Sequence, residues 1–194
     1  FFYKYLYIIY IMKKLNIGII GLGYVGKACN EVFSNFFNTF SYDINGSGSE
    51  SSVEDLVNKT DILFLCLPTP MNKDGSCNID VVENVLSEIN TYKNTICVIK
   101  STTPPGSSNY FEEKFDNLKI YSNPEFLTEA NFLNDFKLQN RIVIGSSDND
   151  FSIIYDLYQE SFPNVKIIKC SLKEAEMVKY FTNSFLVLKV SYSN

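Results

Sequence analysis

The turn between residues 20 and 27 constrains the fold more tightly than any other stretch. Leu15–Gly21 is a short β-branched run, too brief for a helix and followed at once by glycines, so it predicts a strand buried on both faces. From Tyr24 to Phe36, Val25, Ala28, Cys29, Val32, Phe33 and Phe36 recur at helical spacing. Between them stands Gly21-Leu22-Gly23-Tyr24-Val25-Gly26, a GxGxxG turn in a strand-turn-helix context. The first glycine permits the tight turn, the second lets backbone approach a pyrophosphate, and the third lets helix pack on strand. The helix start then offers oriented N–H donors to the anion. Leu22, Tyr24 and Val25 belong to the same candidate cofactor-binding turn. Twenty residues beyond Gly23, Asp43 closes the next predicted strand, where a carboxylate accepts hydrogen bonds from an adenosine ribose. An acid there favours NAD over NADP by repelling a 2′-phosphate, and Asn45 supplies no cationic alternative.

The alternation continues along the chain. Strands are predicted at Thr39–Tyr42, Asp61–Leu67, Thr95–Lys100, Lys119–Ser122, Arg141–Gly145 and Lys166–Cys170, with helices at Ser52–Asn58, Ile79–Tyr92, Ser107–Phe115 and Asn149–Phe162. The fold class is therefore α/β, a Rossmann-like doubly wound and mainly parallel sheet over residues 12–171. Leu172–Asn194 is helical in pattern and has no Gly or Pro stop signal, as if the chain were cut inside a helix. Residues 1–11 (FFYKYLYIIYI) are interrupted by Lys4 and too short to span a bilayer. They also lack the features of a secretory signal. Because Met12 opens MKKLNIGIIGLGYVG, the expectation is a non-native leader from upstream read-through, with a short interfacial anchor or an edge strand as competing readings.

Composition narrows the chemistry. A net charge of -5 disfavours a nucleic-acid partner. The absence of histidine excludes Ser-His-Asp and Cys-His relays and HExxH zinc sites within these 194 residues, and no metal site is read. The five cysteines, Cys29, Cys66, Cys77, Cys97 and Cys170, include no CxxC and lie mostly in apolar runs, which predicts reduced, buried thiols in a cytoplasmic protein.

Three further groups carry candidate chemistry. Leu65–Pro70 (LCLPTP) and Lys100–Gly106 (KSTTPPG) each end a predicted strand with prolines, and the second places hydroxyls at a carboxyl end, where ligands bind in open α/β sheets. In Asn123-Pro124-Glu125-Phe126-Leu127-Thr128-Glu129, Asn123 suits a helix cap and Pro124 a first helical position. A helix there would put Glu125 and Glu129 on one face, fit for acid-base work or simply a solvated helix start. In the last segment, Glu176, Lys179 and Asn183 share a polar stripe opposite Val178, Phe181, Phe185 and Leu188. That stripe is either the wet side of a helix or a device aiming Lys179 and Asn183 at one developing oxyanion, and spacing does not decide.

Taken in order, IGIIGLGYVG, CLPTPMNKDGS, VIKSTTPPGSS, SNPEFLTEANFLNDF, NRIVIGS and AEMVKYFTNSFLVLKVSYSN resemble the N-terminal part of the UDP-glucose/GDP-mannose dehydrogenase family, over Met12–Asn194. The resemblance implies an NAD-dependent, four-electron oxidation of a nucleotide-sugar C6 hydroxymethyl group to a carboxylate, UDP-glucose being the expected substrate. By that likeness Gly21, Gly23 and Gly26 bind the pyrophosphate, Asp43 binds the ribose, and Pro68, Thr69 and Ser101 line the cofactor path. Thr102 helps hold the catalytic water, and Glu129 is the acid-base carboxylate. Glu125, Phe126 and Leu127 bind substrate, and Lys179 and Asn183 stabilise the charged oxygen at C6.

Two departures qualify the likeness. The family's nucleophilic cysteine, in a later glycine-rich loop, matches none of the five cysteines, and the sugar-nucleotide domain has no counterpart before Asn194. The Asp43–Asp61 link is also shorter than the family's helix-containing insert. The expectation is a chain that binds NAD but does not alone complete oxidation. The alternatives are a noncatalytic NAD-binding module or remnant, and a related dehydrogenase acting on GDP-mannose, a UDP-N-acetylhexosamine or a β-hydroxyacid. The family dimerises through the helix beginning near Leu172, so a homodimer of the full-length form is expected, with Phe181, Phe185 and Leu188 exposed in this chain.

Overall fold

The computed structural model describes residues 15–148 and 151–193. The expected leader and the Met12 start lie outside those residues, as do the first two positions of the helix predicted at Asn149–Phe162. Among the described residues seven strands form one sheet: β1 Asn16–Ile20, β2 Asn38–Tyr42, β3 Ile62–Leu65, β4 Thr95–Ile99, β5 Leu118–Ser122, β6 Arg141–Gly145 and β7 Lys166–Cys170. Between them run α1 Tyr24–Phe33, α2 Val53–Lys59, α3 Asp80–Ile89, α4 Ser107–Lys114, a 3-10 turn at Glu129–Asn131, α5 Phe132–Lys137 and α6 Ser152–Ser161, and α7 Leu172–Ser193 follows β7.

Side chains alternate across the pleat and so divide the core in two. Ile17, Ile19, Phe64, Val98 and Tyr121 face α1, α5 and α6, where Phe33 packs within 6.0 Å of Phe64, Phe136 and Tyr158. Ile20, Leu63, Leu65, Cys97 and Ile99 face α2, α3 and α4. Helices on both faces make this the doubly wound Rossmann-like sheet that the alternation predicts.

The strand order is β2-β1-β3-β4-β5-β6-β7, and every pairing is parallel except β5 with β6. The chain reverses direction across the sheet between β1 and β3, and ligands bind beyond the carboxyl ends at such a switch point. A dinucleotide-binding sheet ordered 3-2-1-4-5-6 carries another strand outside β2. Among the described residues β2 is the edge, and the short link covers it: Ser41 donates its N–H to Ser49 Oγ, and Glu50 donates its N–H to Ser41 O at 2.9 Å. Lys59 of α2 holds Glu50 at 2.6 Å, pinning the loop over an edge that would otherwise offer an open ladder.

β6 runs against β5, starting from the pair Ser122–Gly145. Its earlier residues therefore lie alongside the chain that leaves β5: Asn123 donates Nδ2–H to Val143 O, and Arg141 stacks on the Phe126 ring 4.8 Å from its centroid. No helix starts at Asn123, so the helical alternative for this segment, with Glu125 and Glu129 on one face, does not hold. The segment stays extended because Asn123 continues the β4 ladder through Ile99 O and its side chain is claimed from inside the core, leaving nothing to cap a helix.

Candidate functional site

The site is built from loops at the carboxyl ends of β1 to β5. At the first of them the three glycines serve different ends. Gly21 has φ +90°, a left-handed conformation that a side chain resists, and a Cβ there would lie 2.5 Å from Cys66 O. At Gly26 a Cβ would fall 1.8 Å from Gly21 O, so α1 reaches the turn only because that carbon is missing. Gly23 differs: a Cβ would meet nothing within 4 Å, so the space beside the helix start is open. No side chain caps α1, and its first N–H groups have no partner within the helix. An open cradle over helix-end N–H donors fits a pyrophosphate.

Asp43 lies at this turn, as its spacing from Gly23 requires. Its Oδ2 accepts the Leu22 N–H at 2.6 Å and its Oδ1 accepts the Asn45 N–H at 3.0 Å. The carboxylate is therefore held beside the glycine loop, with Ile44 next to it 94% exposed.

The loops after β3 and β4 are tied together. The Ser101 hydroxyl accepts the Leu67 N–H at 2.9 Å and donates to Leu67 O at 2.8 Å, while Thr69 Oγ1 donates to Thr102 O at 2.8 Å. Ser101 thus braces the Pro68-bearing loop, which explains why a hydroxyl follows Lys100. A crevice opens here, lined by Val25, Thr69, Lys100, Ser101, Thr102 and Glu125. Thr69 and Thr102 also line a larger cleft of about 920 Å³, so the two adjoin there; Cys77, Tyr180, Asn183 and Leu188 form part of its walls.

Glu125 occupies the crevice with its side chain 13% exposed. Its Oε2 is buried and makes no hydrogen bond, a polar atom that a bound group would satisfy. Its Oε1 lies 3.5 Å from Lys179 Nζ, and Lys179 donates to Glu125 O at 2.6 Å. Glu129 does not join it on a helix face; it opens the 3-10 turn and is exposed. Thr128 beside it is held by Asp135, which accepts both its N–H and its hydroxyl and is thereby kept below the usual carboxylate range. Leu127 packs against the α1-side core, and the Phe126 ring has two cations near it, Arg141 at 4.8 Å and Lys179 at 5.7 Å from its centroid.

The stripe on α7 is a correction to the wet-face reading. Glu176 is 2% exposed and points inward: its carboxylate accepts the N–H groups of Gly106 and Ser108 and the hydroxyls of Thr103 and Ser108, at 2.5 to 3.1 Å. It caps α4 from another element and fastens α7 to the hydroxyl-rich loop. Lys179 also faces the domain, whereas Phe181, Phe185 and Leu188 are 51–70% exposed. The first turns of α7 bury Leu172 and Ala175 against β6 at Gly145, and the same docking brings Glu176 to the N–H donors at the start of α4. Lys179 and Asn183, one turn apart on α7, have different contacts: the first is engaged by Glu125, and the second lines the larger cleft with Thr102.

Two site residues escaped the sequence reading. Lys100 is 4% exposed and donates to Asn123 Oδ1 at 2.8 Å, an oxygen that also accepts from Tyr158 OH. The available signal was a lysine closing an otherwise apolar strand run. Arg141, the other, stands at the start of β6, and only the antiparallel turn brings it to Phe126. The five cysteines are free thiols, but only Cys29 and Cys97 are buried; Cys66, Cys77 and Cys170 lie at loops and strand ends and are half-buried. No helix among the described residues is long and apolar enough to cross a membrane.

Comparison with known proteins agrees with this fold. Residues 45–162 match the model of the UDP-glucose/GDP-mannose dehydrogenase family, NAD binding domain. The chain is 36% identical over 149 residues to a UDP-glucose 6-dehydrogenase of Rickettsia bellii, an alignment covering 73% of this chain and 34% of the relative. It is 30% identical to UDP-glucose 6-dehydrogenase TuaD of Bacillus subtilis, covering 94% of this chain and 48% of the relative. That alignment extends over 223 positions against 194 residues here, so the relative carries residues this chain lacks. A solved UDP-glucose dehydrogenase from the archaeon Pyrobaculum islandicum superposes with a TM-score of 0.85 at 28% identity, covering 94% of this chain and 52% of that one. The chain thus spans a third to a half of these relatives. On the match of its central residues and the agreement of the whole sheet, the chain belongs to the UDP-glucose/GDP-mannose dehydrogenase family and carries its NAD-binding domain.

Proposed function

We propose that the chain is the cofactor-binding part of a dehydrogenase that oxidises the C6 hydroxymethyl group of a nucleotide sugar, of the UDP-glucose type, with NAD as hydride acceptor. The observation that carries this reading is the pairing of an open helix-end cradle at Gly23 with a carboxylate, Asp43, held on the same turn. Gly21, Leu22, Gly23, Tyr24, Val25 and Gly26 would bind the pyrophosphate through backbone N–H groups, and Asp43 would receive the adenosine ribose. The nicotinamide half would then lie on the other side of the turn, along Pro68, Thr69, Ser101 and Thr102. NAD, when bound, supplies the hydride acceptor; the protein supplies orientation and charge.

Around the reacting carbon, Thr102 would hold water, and Lys179 and Asn183 would stabilise a developing oxyanion once substrate frees Lys179 from Glu125. Glu125, Phe126 and Leu127 would contact the sugar, and Glu129 would serve acid-base chemistry from its exposed turn. The larger cleft adjoining the crevice at Thr69 and Thr102 supports a substrate lying next to the cofactor. The full-length form is proposed to pair through α7, whose outer face is apolar.

The test is titration of the 194-residue chain with NAD and NADP, read by calorimetry. Saturable NAD binding with NADP at least tenfold weaker is expected; no NAD binding overturns the reading. UDP-glucose added with NAD is expected to yield no uronate from this chain alone.

A further inference from the structure

Lys100 is a buried cation at the floor of the crevice, and its surroundings do not neutralise it. Its Nζ donates to two neutral acceptors, Asn123 Oδ1 at 2.8 Å and Asn123 O at 3.4 Å, and sits 5.5 Å from the centre of the Phe136 ring. Among the described residues it makes no ion pair. The ionisable groups around it do not cancel its charge. Glu125, which lines the same crevice, has its own cation in Lys179 at 3.5 Å. Tyr158, which shares the Asn123 oxygen, has its hydroxyl pushed well above the ordinary tyrosine range by burial and stays neutral. Cys66, on the crevice wall, is likewise raised, by its hydrogen bond with Cys29 and by burial; its partner Cys29 is lowered, burial being outweighed by that hydrogen bond and by Lys100 itself. The floor therefore carries a net positive charge, next to the positive end of α1.

Oxidised NAD carries a pyridinium cation, and the reduced ring is neutral. A fixed buried cation near that ring disfavours the first form relative to the second, because charges interact strongly where water is excluded. We propose that Lys100 sets the redox preference of this site, weakening binding of NAD relative to NADH and so making the bound cofactor a stronger hydride acceptor. This rests on the functional reading above, which places the nicotinamide half in this crevice.

The experiment compares dissociation constants of NAD and NADH for the wild-type chain and two variants, by calorimetry and by NADH fluorescence. Lys100→Met removes the charge; Asn123→Asp leaves the lysine and sets a carboxylate against its Nζ. Each is expected to shift the ratio Kd(NAD)/Kd(NADH) roughly tenfold toward NAD, which is about 30 mV in the two-electron potential of the bound couple. Lys100→Arg, which keeps the charge, is expected to preserve the wild-type ratio. A merely structural lysine would weaken both forms equally, so an unchanged ratio in the folded variants overturns the proposal. Should Lys100→Met fail to fold, Asn123→Asp and Lys100→Arg still decide it. Failure of the wild-type chain to bind either form would instead remove the functional reading itself.

Discussion

Replacing each of two glycines in the same motif by alanine should separate folding from binding. At Gly23 the backbone has φ -67°, which alanine adopts freely, and the added methyl meets nothing within 4 Å. The loss of stability is then only that of an alanine at a helix N-cap, less than about 1 kcal/mol. The methyl does enter the space where an anion would approach the α1 N–H groups. Losing one or two charge-assisted hydrogen bonds costs about 1.5–3 kcal/mol, so NAD affinity should fall by roughly 10- to 150-fold. At Gly26 the methyl would lie 1.8 Å from Gly21 O, a backbone atom that cannot swing away, so α1 must shift from β1. Overpacking of that kind costs about 1–3 kcal/mol or more, roughly 2–4 °C of Tm per kcal/mol for a chain of this size. Urea unfolding followed by circular dichroism measures the first quantity, and calorimetric titration with NAD the second. The reasoning fails if Gly23→Ala binds NAD as tightly as wild type, or if Gly26→Ala unfolds at the wild-type urea midpoint.

Two further perturbations follow from the site. Glu176→Ala should destabilise the chain by about 3 kcal/mol, since two N–H groups and two hydroxyls lose a charged acceptor, and Glu176→Gln by about half as much; a Tm within 2 °C of wild type, the least expected from about 1 kcal/mol, would contradict this. Asp135 titrates lower folded than unfolded because the Thr128 hydroxyl and N–H bond its charged form. Its contribution is therefore present above the ordinary aspartate value of about 3.9 and is lost as pH falls through the lower folded value. The stability gap between wild type and Asp135→Asn should accordingly close as urea melts are taken from pH 6 toward pH 2; a gap that widens would reverse the sign.

Much of the framework was legible because it depends on neighbours along the chain. β6 and β7 begin and end where the apolar runs do, and α1 starts at the glycine turn that its spacing marks. Asp43 meets Leu22 because a strand of fixed rise returns the chain to the same sheet end. Failures cluster at polar residues whose partners are remote. Asn123 looked like a cap, but Lys100, 23 residues earlier, and Tyr158, 35 later, claim its oxygen. Glu176 looked solvated, yet its donors lie 68 to 73 residues away. No local spacing shows such a debt of hydrogen bonds.

Residue order alone determined the alternation of strand and helix, the anion-ready turn, and the acid that follows it, since each is set by periodicity and backbone sterics over a few residues. Tertiary structure alone decided that β6 runs backward to bring Arg141 over Phe126, that α7 turns Glu176 and Lys179 inward, and that Lys100 stays buried without a counter-ion among the described residues. Those outcomes depend on which unsatisfied groups meet when distant segments pack, and burial makes each such meeting obligatory.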